Sequence, residues 1–243
     1  MIVGLSRHPA GECFRELDDA LVAMGRGDVV LNGHAAPDEI PKGATVWHFE
    51  NVPERPSPGT SLENDGIPWC FGKRVWDFSR RNVERWKAWG IEATHVPVGY
   101  HPSMKRFGRA APSLDVVFMG CLNERRQCVF ESLARRGYSV RLIPPGIYSD
   151  VRDNQLGRAR LAVVPLFYPD GVFCSLRAAH LVANGVPVVV ENCPEAWPFL
   201  SREPYEDLVA AADSWLQPEA SVIRDDMAAE ALAVFKDHPL VLP

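Results

Sequence analysis

Short, continuously apolar runs alternate with amphipathic stretches along this chain, and the alternation restarts near its middle. In the first half, MIVGLS is an apolar run, CFRELDDALVAMG is amphipathic with a terminal glycine stop, and DVVLN is a second short strand. ATVWHFEN predicts a third strand that ends on polar residues. Residues 52–68 (VPERPSPGTSLENDGIP) concentrate Pro, Gly and Ser and predict a loop long enough to suggest a functional role. RVWDF then leads into a helix through SRRNVERWKAWG and a short strand in THVPVGY. The segment SMKRFGRAAPS, rich in breakers and arginine, reads as an interdomain linker.

The second half repeats the rhythm more clearly. LDVVFMG, YSVRLIP, LAVVPLF and VPVVVEN predict strands; ERRQCVFESLARRG, RDNQLGRAR and SLRAAHLVANG predict helices between them, and the tail predicts one or two more, including roughly 219–236. Strands apolar on both faces and separated by helices are parallel strands covered on both sides. Two such units imply an α/β protein of two Rossmann-like lobes facing across a cleft, divided as residues 1–105 and 106–243, with the tail helix free to return onto the first lobe.

Composition adds limits. With 47% hydrophobic and 23% charged residues the chain is globular rather than disordered, and its apolar runs are too short to cross a bilayer. The opening MIVGLSRHP lacks the basic start and long apolar run of a signal peptide. Six cysteines at 13, 70, 121, 128, 174 and 193 form no CxxC pair and no zinc spacing, which fits a reducing, cytoplasmic setting. A net charge of −5 argues against nonspecific nucleic-acid binding. Residues 71–110 nevertheless carry nine basic residues against three acidic ones, together with Trp76, Phe78, Trp86 and Trp89. That stretch is either a solvated helix face with a basic linker or an anion-binding surface.

From about residue 75 to 195 the chain resembles a group of small bacterial and viral GT-B glycosyltransferases. The resemblance lies in VWDFSRRN, VPVGYHP, VFMGCLNERR, GVFCSLR and LVANGVPVVVEN, in that order; the first 70 residues match only weakly. It implies transfer of a sugar from a nucleotide-sugar donor, a UDP-sugar by default, held by the C-terminal lobe without a metal. The acceptor is a glycan or small molecule by default. A hydroxymethylated DNA base is the alternative, as is a noncatalytic nucleotide-sugar-binding protein.

Several residues become donor-site candidates. Gly120 ends the first strand of the second half just before a helix, where backbone amides can approach a phosphate. Asn123, Arg125 and Arg126 follow in the first turn of that helix, where cations oppose the helix dipole unless an anion offsets them. No GxGxxG appears and no ribose-binding acid follows at dinucleotide spacing, so NAD is disfavoured. Tyr148, beside Ile147, flanks a nucleobase or sits in an ordinary turn; Arg152 has a counterpart in the resembled proteins. Phe173, Ser175 and Arg177 lie at another helix start. Cys174 departs from the resembled pattern, which tends to Glu there, and His180 takes the place of an acid that often holds the donor ribose. Glu191, ending VPVVVE, accepts a ribose or sugar hydroxyl or caps a helix. For an acceptor base the candidates are Glu50, His48 and His8. His48 and Glu50 share one strand face, which allows them to pair. Asp77 is a further candidate, or a buried carboxylate bonded to backbone amides.

Overall fold

The computed structural model describes residues 15–31, 40–52, 54, 70 and 72–243. The apolar run at the start of the chain, His8 and most of the loop at 52–68 lie outside them. The chain divides into two compact units, one running to Val98 and including Leu240–Pro243, the other Gly99–Pro239.

In the first unit, α1 (Arg15–Ala23) precedes β1 (Val29–Leu31) and β2 (Thr45–His48). β3 (Arg74–Asp77), α2 (Arg80–Ala88) and β4 (Ala93–His95) complete it. The sheet order is β1-β2-β3-β4 and every pair is parallel. All four residues of β2 are buried, as a strand covered on both faces requires. Trp76, Phe78, Trp86 and Trp89 are buried as well. These four aromatic residues of the basic stretch are therefore core, not a surface on which bases could stack.

The second unit has five parallel strands in the order β6-β5-β7-β8-β9. These are β5 (Leu114–Met119), β6 (Val140–Ile143), β7 (Ala159–Val164), β8 (Val188–Glu191) and β9 (Ser201–Glu203). The helices are α3 (Glu124–Arg135), α4 (Ser149–Gly157), α5 (Ser175–Ala183), α6 (Leu208–Leu216) and α7 (Ser221–Lys236). From β5 the chain moves one way to β6 and the other way to β7, so right-handed crossovers put α3 and α4 on opposite faces. α3 and α6 pack together, as do α5 and α7. Val116, Phe118, Phe130, Leu133, Leu161, Val163 and Leu208 form the core between β5, β7, α3 and α6. The short strand β9 is not foreseen in the sequence. No described helix is long and apolar enough to cross a membrane.

Two expectations change. The division falls at Val98/Gly99 rather than at 105/106, because Asn184 on the second unit captures the connecting segment. Its Oδ1 accepts from Arg106 N at 2.7 Å and Phe107 N at 2.9 Å, and its Nδ2 donates to Met104 O at 2.9 Å. The tail helix α7 packs on α5 within its own unit, and only Leu240–Pro243 group with the first.

Candidate functional site

At the carboxyl ends of β5 and β7, where the strand order reverses and such sheets bind ligands, the residues around Gly120 fall into two groups. The first faces the protein. Asn123 caps α3, its Oδ1 accepting from Arg126 N at 3.0 Å, while its Nδ2 donates to Phe167 O at 2.6 Å. Arg125 Nη1 donates to Leu166 O at 3.0 Å, and Arg126 Nε donates to Pro165 O at 3.0 Å. Three residues of one helical turn thus hold three successive carbonyls beyond β7. Arg125 also forms a two-pronged ion pair with Glu191: Nη1 lies 2.6 Å from Oε2, and Nη2 contacts Oε1. Glu191 Oε2 further accepts Leu166 N at 2.8 Å. Tyr205 covers the Arg125 guanidinium at 3.7 Å and donates its hydroxyl to Arg125 O at 2.7 Å. Two residues read from sequence as separate donor contacts, Arg125 and Glu191, are each other's partners, and Glu191 caps no helix. Tyr205 had no sequence signal.

The second group gathers at the start of α5. Gly120 has φ +136°, and a Cβ there would lie 2.5 Å from Arg177 Nη2. Arg177 Nη1 and Ser175 Oγ are buried without a hydrogen-bond partner. Both belong to the first turn of α5, whose N-cap Cys174 makes no side-chain capping bond. The Arg126 and Arg177 guanidiniums lie 5.0 and 5.1 Å from the same ring, Phe118. Burial, and then the Arg177 charge, pull Arg126 down to about 10. Arg126 bonds only to the neutral carbonyls of Cys121 and Pro165, and neither arginine has a carboxylate partner among the described residues. Two cations without a carboxylate partner thus lie beside a buried unpaired hydroxyl at a helix N-terminus, a combination that favours anions in general.

The remaining candidates separate from this cluster. Phe173 is core, its ring centroid 5.7 Å from Trp197. Tyr148 is half-buried at the start of α4 and makes no side-chain capping bond. Arg152 is buried, its Nε 2.8 Å from Asp153 Oδ1, and His180 Nε2 lies 3.0 Å from the same oxygen. His180 therefore ties α5 to α4. Burial alone would raise Asp153, but the His180 hydrogen bond and charge and the Arg152 charge bring it below the usual carboxylate range. A depressed carboxyl stabilises the fold above its unfolded pKa of about 3.9, and that contribution fades as pH falls through the lower folded value. Acid-unfolding titrations should show Asp153→Asn with a shallower loss of stability below about pH 4 than wild type. Identical acid limbs would refute the pairing.

In the first unit His48 ends β2 and lies in register with Asp77 at the end of β3. The His48 ring donates through Nδ1 to Asp77 Oδ2 at 2.9 Å. The His48–Glu50 pair that the spacing allows does not form, because β2 stops at His48 and the parallel register puts Asp77 beside it; Glu50 is exposed. Asp77 Oδ1 accepts Ser79 N at 2.9 Å and Asn82 Nδ2 at 3.0 Å, and its Oδ2 accepts Trp86 Nε1 at 2.9 Å. Asn82 also donates to Glu50 O at 2.7 Å and accepts from Val52 N at 3.0 Å. One buried carboxylate thus organises the histidine, the α2 start and the segment after β2. In the basic stretch, Arg85 bonds Val52 O and Glu54, and Arg109 bonds Leu156 O and Ala159 O. Among the described residues no group of three or more His, Cys, Asp or Glu is placed to hold a metal.

No family model matches the chain, and no curated protein does. Among solved structures it is similar to a UDP-forming α,α-trehalose-phosphate synthase from Burkholderia xenovorans. The TM-score is 0.56 at 10% identity, over 95% of this chain and 75% of that one. TarM gives a TM-score of 0.53 at 9% identity, over 86% of this chain and 51% of TarM, about half its length. The fold is that of the GT-B glycosyltransferases. At these identities the likeness extends to the fold alone.

Proposed function

We propose that the chain is a glycosyltransferase that moves a sugar from a nucleotide-sugar donor, a UDP-sugar, to an acceptor hydroxyl of a glycan or small molecule. The carrying observation is the anion pocket at the α5 N-terminus, where Arg177 Nη1 and Ser175 Oγ are buried and unpaired beside Gly120. A nucleotide sugar's diphosphate bears two negative charges, which balance Arg126 and Arg177. As the bond from the anomeric carbon to the diphosphate oxygen breaks, negative charge builds on the leaving phosphate. In this reading Arg177 and the first amides of α5 stabilise that charge, and no metal is required. On the acceptor side His48, held by Asp77, is the favoured general base, taking the hydroxyl proton if the reaction inverts the anomeric carbon. Buried Trp76, Phe78, Trp86 and Trp89, and internally bonded Arg85 and Arg109, disfavour DNA as the acceptor. The described cysteines are all free, which fits a cytoplasmic setting.

Incubation with a panel of nucleotide sugars and acceptors should release the nucleoside diphosphate from one donor. Donor binding without release would identify a noncatalytic nucleotide-sugar-binding protein instead. Arg177→Ala should weaken UDP binding about 10- to 150-fold, the worth of one charge-assisted contact. Its stability should fall much less than that of Arg125→Ala, since what Arg177 loses is a contact with the Phe118 ring and not an ion pair. Calorimetry giving wild-type UDP affinity for this variant would sink the pocket assignment.

A further inference from the structure

The described cysteines are all free, but their surroundings differ. Cys70 is buried, and burial pushes its thiol up to about 11. Burial raises the Cys193 thiol as well. Thiols raised in this way are inert, because the thiolate is the nucleophile. Cys128 is exposed on α3, with Glu124 one turn before it and Glu131 one turn after. Cys174 stands apart from these. It is half-exposed at the N-cap of α5, where φ −77° and ψ 72° make a tight turn closed by Ser175 N donating to Phe173 O at 2.8 Å. Beside it Ser175 is 6% exposed with its Oγ unpartnered, and Arg177, one turn in, carries a buried unpartnered Nη1. Arg126 feels a negative charge on Cys174 more than one on Cys121, the exposed cysteine after Gly120. A thiol at a helix start between two such cations is placed where anionic reagents gather, since a field of one sign raises their local concentration by about 10- to 1000-fold.

We propose that Cys174 is a modification site for small disulfides that carry carboxylates, and that the adduct closes the α5 start to a nucleotide. The second half rests on the donor site proposed above; the first does not. The Cys174 thiolate attacks one sulfur of the disulfide, whose S–S bond breaks as the new one forms. The other half departs as a thiolate, and the Cys174 proton passes to solvent. Labelling the intact chain with dithiobis(nitrobenzoate), which bears two carboxylates, and with neutral dithiodipyridine tests the first half. Peptide mass spectrometry follows each cysteine, and dividing the anionic by the neutral rate at each thiol cancels differences in access. That quotient should be at least about tenfold higher at Cys174 than at Cys128, and salt at about 1 M should abolish the difference. Arg177→Ala should lower it at Cys174 and not at Cys128, while Cys193 in the same unit stays as slow as in wild type, a sign of an intact fold. Equal quotients at Cys174 and Cys128 overturn the proposal. UDP should slow labelling at Cys174 only, and the nitrobenzoate adduct should bind UDP at least about tenfold more weakly until it is reduced. If Cys174 labels fast but UDP neither protects it nor binds the adduct more weakly, the modification site stands and the donor reading falls. A Cys174→Ser chain that loses UDP affinity on the same treatment would assign the closure to another thiol and overturn the second half.

Discussion

Arg125→Ala is expected to destabilise the fold by about 3–5 kcal/mol, the cost of leaving one member of a buried ion pair alone. The Arg125 and Glu191 side chains are 16% and 6% exposed, so water replaces the lost partner poorly. The same change removes a donor from Leu166 O and the cation under the Tyr205 ring. Arg125→Lys should recover only part of the loss, because an ammonium cannot reproduce the planar fork across both Glu191 oxygens. Replacing both partners by methionine should bring stability back towards wild type, since no buried charge then remains. Urea unfolding of the variants measures this. A midpoint for Arg125→Ala within about 1 kcal/mol of wild type, with a large loss of UDP affinity, would return Arg125 to the role of a phosphate ligand.

Asp77→Ala should be at least as damaging to the first unit. Asp77 is fully buried and accepts from Ser79 N, Asn82 Nδ2, Trp86 Nε1 and His48 Nδ1. Each donor stranded in the core costs about 1–3 kcal/mol, so even without full additivity the loss should reach about 4 kcal/mol. Asp77→Asn keeps one accepting oxygen but turns an N–H group towards existing donors, so it should rescue only partly. Trp86 supplies a local reading, since its indole N–H bonds Asp77 and its ring meets His48 edge-on at 5.3 Å. Tryptophan emission and the unfolding midpoint should change together in both variants. An Asp77→Ala protein of near-wild-type stability would mean that these donors find other partners, and the buried network would not be what holds α2 to β2 and β3.

The pattern of apolar runs was enough for the strand–helix alternation, because a parallel strand covered on both faces must be apolar throughout, as VVVE on β8 and TVWH on β2 nearly are. It was enough as well to put Gly120 at the end of β5, while the reason for glycine there, φ +136° with the Arg177 guanidinium close by, is visible only in the structure. β9 escaped it: a strand of three residues, Ser201–Glu203, is too short to show periodicity. The boundary escaped it too, because a polar, breaker-rich linker looks alike whether it is solvated or held by Asn184.

What the residue types alone determined is that arginines, an asparagine, glycines and a terminal glutamate gather at strand ends in the second half of the chain. Which of them are bonded within the protein was decided only by tertiary structure. Composition cannot tell an arginine bonded to a carboxylate 66 residues away from one with an unpaired buried nitrogen, yet Arg125 is the first and Arg177 the second. The same holds for His48, whose partner is the residue in register on the neighbouring strand, 29 positions on, rather than the one two positions along its own. Local spacing sets the face on which a side chain lies. Strand register and helix docking set what it meets there, and long-range partners determine whether a charge is consumed by the fold or left for a ligand.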